Sequence, residues 1–550
     1  MKTKGFGSIH QGDSKVAMAH LYVAFIALFI GATAGLLQTL VRSGKLTLPA
    51  GIGYYQLLTL HGVVLALILT TYFIIGFIIA TQSKTAGEYS NGERKWLWIG
   101  YIIMTIGTVL SAILILLNEA TVLYTFYAPL QAHPGYYIGL ALVIVGSWMS
   151  GFVVYHRHAR WRKDHRGEVS PLLSFMSVIT MLLWHIATLG VAASVVIQFI
   201  PWSLGYTERI DVLISRTLFW YFGHPLVYFW LLPAYMCWYA MIPQIIGGKI
   251  FSDSLARFAF ILLLLFSIPV GFHHQLTEPG IDPAWKFLQV ILTFLVVIPS
   301  FITAFSLFAT FERRGRELGA TTLFGWLKKM PWKDVRFLAP FVGMFWFAFA
   351  GTGGIINASH QMNQVVHNTI WVTGHFHLSI GAAVMLTFFG ITYWLVPSIT
   401  GRKLTKKINN LGIAQTITWS IGMLFMSGSM HWQGLLGAPR RSSYSTYMGN
   451  ADTQSWGAYQ LAQAVGGSIL FIGAILMLIV FVNLVFFAPR GEEEFPVGKA
   501  ADEAEPTPKV FENWKLWIGL SFALILFAYT IPFIDIVQNL PPGSKGFRLW

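Results

Sequence analysis

Long apolar blocks separated by short polar or basic stretches run from one end of the chain to the other. Each block reaches the length of about 20 residues that a helix rising 1.5 Å per residue needs to cross a bilayer. Thirteen such helices are predicted, near 17–41, 54–81, 96–117, 136–155, 172–200, 213–245, 256–272, 284–311, 337–357, 369–399, 409–430, 463–487 and 514–536. The apolar residues fill these blocks rather than one stripe of each helix, so the pattern is that of membrane spans and not of a soluble bundle. The expected fold is an all-α polytopic membrane protein. The connection 488–513 holds Glu492, Glu493, Glu494, Asp502, Glu503 and Glu505, with Pro506 and Pro508. It reads as a solvated acidic loop on the cytoplasmic side, joining a twelve-helix core (1–487) to an accessory last helix and outer tail (514–550).

Composition agrees. Of 550 residues, 55% are hydrophobic and only 11% charged, against about a quarter charged in soluble proteins. Cys237 is the only cysteine, which rules out an internal disulfide framework, a cysteine-held zinc or iron–sulfur site, and covalent haem attachment through a C-x-x-C-H motif. Any metal must be held by histidine, carboxylate, methionine or backbone. The net charge of +14 could indicate nucleic acid, but the basic residues cluster in alternate loops. Lys84, Arg94 and Lys95 follow the second span. Arg157, Arg160, Arg162, Lys163 and Arg166 follow the fourth; Arg313, Arg314, Arg316, Lys328, Lys329, Lys333 and Arg336 follow the eighth; Arg402, Lys403, Lys406 and Lys407 follow the tenth. The opposite connection 118–135 contains neither Lys nor Arg. Positive charge stays inside, so the N-terminus, with Lys2, Lys4 and Lys15, is expected in the cytoplasm and the C-terminus outside. No small-residue cleavage site follows the first apolar block, so that helix is expected to be retained.

The chemistry lies in the sixteen histidines. His185, alone in the fifth span, reads as structural. His156, His158 and His165, among arginines, read as solvated. Six others share one depth. His61 lies about 10 Å inside the outer end of its span, at 1.5 Å per residue. His224 lies somewhat deeper, His375 and His377 enter the tenth span from outside, and His273 and His274 end the seventh. Polar groups at that depth are costly and usually functional. Imidazoles without thiolates or carboxylates suit copper, iron and zinc. His375 and His377, two apart on a helix, project about 200° apart, so they suit two haems on opposite sides of it. With His61 opposite one of them, His224, His273 and His274 remain for a three-histidine metal with an open position.

The motifs TLHG (59–62), WYFGHPLVYFWLLPAY (220–235), HHQLTEPG (273–280), VVHNTIWVTGHFH (365–377) and GAPRR (437–441) resemble those of subunit I of the heme–copper terminal oxidases, in order and on correctly oriented spans. The resemblance covers the first twelve spans. It implies His61 and His377 as axial ligands of a low-spin, b-like haem, and His375 as the proximal ligand of a high-spin haem of a, o or b type. His224, His273 and His274 would hold one copper, with Tyr228 the tyrosine joined to His224 in the family. Arg440 and Arg441, and His367 beside them, would meet haem propionates. Asn363 stands where some relatives carry an acid. Leu226 replaces the glutamate common in the family's A branch, so the B branch fits better. That branch's single proton path would use Tyr235, Tyr239, Thr293, Ser300 and Thr303.

The implied activity is that of a cytochrome c oxidase in a bacterial or archaeal plasma membrane. It reduces O2 to water and couples this to proton translocation. One cysteine cannot build the dinuclear copper centre that receives electrons from cytochrome c, so a partner subunit II is implied. A quinol donor would make that centre unnecessary. Nitric oxide reductases share the six histidines but lack the tyrosine of His-x-x-x-Tyr and favour glutamates near the metal. Tyr228 and Leu226 argue against that reading. A haem-free transporter would need broken helices or paired carboxylates at mid-membrane, which the sequence does not offer.

Overall fold

The computed structural model describes residues 9–443, 446–501 and 506–549. Lys2 and Lys4 of the basic N-terminus, and Asp502, Glu503 and Glu505 of the acidic connection, lie outside them.

Every predicted span contains a helix, but the seventh stops at Ser267, and His273 and His274 stand beyond it on a separate 3-10 turn, Phe272–Gln275. In chain order the helices are α1 (Gln11–Arg42), α2 (Tyr54–Thr85), α3 (Asn91–Leu116), α4 (Pro134–Asp164), α5 (Leu172–Ser203), α6 (Val212–Ile245), α7 (Asp253–Ser267), α8 (Pro283–Glu317), α9 (Val335–Ala358), α10 (Ile370–Thr400), α11 (Lys406–Leu435), α12 (Trp456–Val482) and α13 (Trp514–Gln538). Among the described residues eleven helices are long and apolar enough to cross a membrane by themselves. The other two are α7, with 15 residues, and α11, whose apolar run is broken by Asn409, Asn410, Gln415, Ser427, His431 and Gln433.

Side-chain oxygens start most of these helices by accepting the first free amide N–H groups. Ser90 and Glu93 cap α3 reciprocally. Asp211, Ser252, Asp282, Asp334, Thr369, Thr405 and Asn513 cap α6 to α11 and α13. Small residues set the closest crossings. A Cβ on Gly100 of α3 would lie 2.7 Å from the Gly146 carbonyl of α4, and one on Gly466 of α12 would lie 2.7 Å from the Met426 nitrogen of α11. Any larger side chain would push these pairs apart.

Burial singles out the helices that carry the histidines. In the most apolar stretch of α2 and of α6, 89% of residues are buried, and 83% in α10, against 28% in α9. The bundle is built around these three. Wide π-helical turns follow directly on the site in two of them: Val63–Leu69 two residues after His61, and His377–Val384 starting at a histidine. Such turns are rare and concentrate at functional positions.

The acidic connection is not the solvated loop that its composition predicts. Phe495 is buried with its ring 4.9 Å from Trp394. Glu493 accepts from the Leu404 amide and pairs with Arg336, and Ile250 and Ala500 are bridged. Its far end, Glu512, is buried between His158, Ser170 and Arg257. Glu493 and Glu512 are met by arginines from elsewhere in the chain, whereas Glu492 and Glu494 stay exposed. At the opposite end of the bundle, β1 (Arg209–Ile210) pairs antiparallel with β2 (Ser544–Lys545) and ties down the tail.

Candidate metal centre

His61 and His377 face each other from α2 and α10, with ring centroids 6.1 Å apart and planes 15° from parallel. The Nδ1 of His61 lies 2.8 Å from the Gly31 carbonyl, and that of His377 lies 2.9 Å from the Thr373 carbonyl. A carbonyl accepts the Nδ1–H hydrogen bond in each case, which leaves both Nε2 atoms with free lone pairs turned to one cavity. One metal ion bonded to both at about 2 Å would separate the ring centres by about 6 Å, as observed. Gly35 completes the cradle, since a Cβ there would fall 2.7 Å from His61. The cavity is walled mainly by apolar side chains, among them Leu28, Met423 and Leu470, and Arg440 and Arg441 stand at its rim.

His375 looks the other way, as its two-residue offset requires. Its ring stacks 5.9 Å from Trp371, and its buried Nδ1 has no hydrogen-bond partner. That nitrogen would lie 2.6 Å from a Cβ on Gly353, so α9 can pass here only as glycine. Phe376, between the two histidines, packs between Tyr124 and Trp230.

His224, His273 and His274 form the third group, with ligand atoms all within 4.8 Å of one another. The His224 Nδ1 and His274 Nε2 atoms are 3.2 Å apart, close to the spacing of about 3.3 Å between two nitrogens on one tetrahedral metal. His224 Nε2 is buried without a partner. Outer groups fix the other rings. Thr293 of α8 stands 3.0 Å from His273 Nδ1, and Trp220 stacks on His274 at 3.9 Å. Tyr228, one turn along α6, places its ring 5.1 Å from that of His224.

Above these groups lies a basic rim. Arg440 donates to the Asn368 side chain at 2.7 Å. Arg441 and Arg216 both lie over the Tyr127 ring, at 5.0 and 4.5 Å. Burial, and then the neighbouring Arg441, lower the Arg440 guanidinium to about 10. His367, held 2.9 Å from Asn363, is pushed down to about 4 by burial and then by Arg440. The local potential therefore favours anions.

The predicted hydroxyl path is brought together in part. Tyr239 donates to Thr303 at 2.9 Å, and Tyr235 sits beside Ser300 and Thr303 without a hydrogen bond of its own. Thr293 stands instead against the three-histidine group. It makes no contact with Ser300, whose hydroxyl turns back to the Val296 carbonyl at 3.4 Å.

The chain matches the family model described as "Cytochrome C and Quinol oxidase polypeptide I" over residues 15–469. It belongs to that family. It is 37% identical to cytochrome c oxidase subunit 1 of Thermus thermophilus, covering 98% of this chain and 97% of the relative. The subunit from Halobacterium salinarum is 24% identical over 88% of this chain and 79% of its own. A solved heme–copper terminal oxidase dimer shares the fold, with a TM-score of 0.92 and 34% identity over 98% of this chain and 96% of that one. As a heme–copper oxidase subunit I, the chain is the catalytic part of a terminal oxidase, a family that carries two haems and one copper. The histidines fit these cofactors: one opposed pair with both Nε2 atoms bare, one single imidazole against a glycine, and one triad with an orphaned nitrogen.

Other sequence readings divide. His185 is structural, held by Tyr155 and the Met181 and Trp148 carbonyls, and His156 is exposed beside Glu93. His158 is not solvated. It is buried, 2.9 Å from Ser174 and 3.8 Å from Glu512, because α5 and the segment before α13 close over it. Trp220, Tyr127 and Gly353 were not singled out as site residues from sequence. Nothing local sets the two aromatics apart from packing residues, and only the close approach of α9 to His375 marks the glycine.

Proposed function

We propose that this subunit oxidises cytochrome c, through a copper-bearing partner subunit docked on its outer face, and reduces O2 to water. When bound, the two haem irons and the copper supply the redox chemistry. In this reading His61 and His377 hold the low-spin haem, His375 the high-spin haem, and His224, His273 and His274 the copper. The carbonyls of Gly31 and Thr373 set the tautomers of the first pair, and Thr293 orients His273. Arg440 and Arg441, with His367 close by, bind propionates as anions in the basic rim. Tyr228 offers a phenolic proton beside His224, and Tyr235, Tyr239, Ser300 and Thr303 lead protons towards it from the cytoplasm. The N-terminus is cytoplasmic and the C-terminus outside, in the plasma membrane of a bacterium or archaeon. Residues 1–487 form the catalytic core and 514–550 an accessory helix and tail.

The observation that carries the reading is the placement of Tyr228 on the face of α6 that presents His224, with their rings 5.1 Å apart. A nitric oxide reductase has no such tyrosine, and an ordinary packing tyrosine has no reason to border a three-histidine cluster.

Metal and haem analysis of the purified complex, with reduced-minus-oxidised and carbon monoxide difference spectra, tests it. Two haems, one of them binding carbon monoxide, and copper in this subunit are expected. Tyr228→Phe should keep all three and lose O2 turnover. Non-haem iron in place of copper moves the reaction to nitric oxide reduction, and a colourless protein ends the proposal.

A further inference from the structure

Away from the histidines, a groove of about 430 Å³ opens on the perimeter of the bundle where α4 and α5 meet the start of α13. Its polar end and its walls have different chemistry. Arg162 and Trp514 stand at the end nearest the basic loop. From there the groove runs past Ala159 to Tyr155 on α4, seven residues or about 10 Å along the helix, with Leu182 and Ile518 as the facing walls. A charged rim above an apolar trough of that length matches a phospholipid, with its phosphate at the boundary and an acyl chain directed towards the membrane centre.

The polar end carries unused donors. Arg162 donates through Nη1 to the Glu512 carbonyl at 3.1 Å, and its Nε lies 3.6 Å from the carboxylate. Nη2 is left over, and the side chain is 40% exposed. The Glu512 carboxylate is turned away into the protein, where Ser170 donates at 2.5 Å and Arg257 pairs at 3.3 Å. His158 borders the groove with its side chain only 5% exposed. Its Nε2 makes no hydrogen bond and lies 3.8 Å from Glu512. The buried Trp514 indole N–H likewise has no acceptor. Trp514 and Lys515 open α13, whose first amide groups add a positive helix end at the same place.

We propose that this groove binds one anionic phospholipid, its phosphate at Arg162 and the start of α13 and an acyl chain along Ala159, Tyr155 and Leu182. Basic pockets between membrane helices recognise anionic headgroups in this way. The lipid would fasten α13, which this groove leaves incompletely packed against α4 and α5, to the rest of the bundle. The inference does not depend on the oxidase reading, since it uses none of the histidine ligands.

The test uses the purified complex in nanodiscs containing photoreactive phosphatidylglycerol or photoreactive phosphatidylcholine, with crosslinked peptides mapped. Phosphatidylglycerol should label the α4 and α13 peptides that line the groove in preference to phosphatidylcholine. Arg162→Gln should lower that labelling about fivefold, the value of one basic group near a membrane surface, and Arg162→Lys should largely restore it. Ala159→Trp, which fills the trough at an exposed position without altering charge, should abolish it while the haem spectrum stays unchanged. Equal labelling by the two lipids, unchanged labelling in both R162Q and A159W, or displacement by inorganic phosphate would overturn the assignment.

Discussion

Two groups of histidines in this subunit are treated in opposite ways. In the first, His61, His224, His273, His274, His375 and His377 form no ion pair with any Asp or Glu among the described residues, and their neighbours are carbonyls, aromatic faces and one hydroxyl. At the basic end, His158 lies in a network of Glu512, Arg257, Asp253 and Arg162 whose charges answer one another. Burying an ionised group without a partner is costly. The first region is therefore arranged for neutral imidazoles that donate lone pairs, and the charge it awaits belongs to its cofactors. The second answers its buried charges within the chain and acts as a clasp, with spare donors only at the edge of its groove.

The comparison breaks most visibly at His224. His224→Ala should remove copper and lower O2 consumption by at least about a hundredfold, the upper range for losing only an outer partner of a ligand, with little change in thermal stability of the helices. Glu512→Gln should do the reverse. It takes one of two carboxylates from Arg257, only 2% exposed, and Asp253 stays at 2.6 Å. The loss therefore stays below the roughly 3–5 kcal/mol of a fully unpaired buried charge, while haem and copper contents hold. Thermal unfolding followed beside the haem spectrum separates the two outcomes. If E512Q instead bleached the haems, the regions would not be independent.

Thr293→Ala sharpens the outer side. Without the hydroxyl near His273, copper affinity should fall about 10- to 100-fold, read by chelator titration, and the low-spin haem spectrum should not move.

The smallest effect is one of pH. Burial alone would raise the Glu512 carboxyl, but the nearby His158 imidazole, the Ser170 hydrogen bond and the Arg257 charge outweigh it and hold the group at about 2, below its ordinary 4.5. Its contribution to stability is present above about pH 4.5 and is lost as pH falls towards 2. The melting temperature of the wild type should therefore drop more steeply than that of E512Q across this interval.

The helices and the six outer histidines were legible in the sequence because each depends on local facts: span length, helical phase and depth from a span end. His375 and His377 needed only the angle of a helix to be placed on opposite sides of α10. His158 was misread because its surroundings in sequence, Arg157 and Arg160, are not its surroundings in space. Ser174 and Glu512 cover it from 16 and 354 positions away along the chain. The acidic connection was misread for the same reason, since composition counts its carboxylates but not the arginines that meet them. Tyr127, with two guanidiniums over its ring, and Gly353, pressed on His375, are products of packing between distant segments, and no local pattern announces them.

The two-residue spacing of His375 and His377 makes α10 a common axle for two sites. Substitutions along it can be absorbed one by one, but a single residue inserted between the histidines would swing everything beyond it by about 100°. Both sites would then lose their alignment together. This stretch of the chain can drift in composition over evolutionary time, yet it cannot change in length.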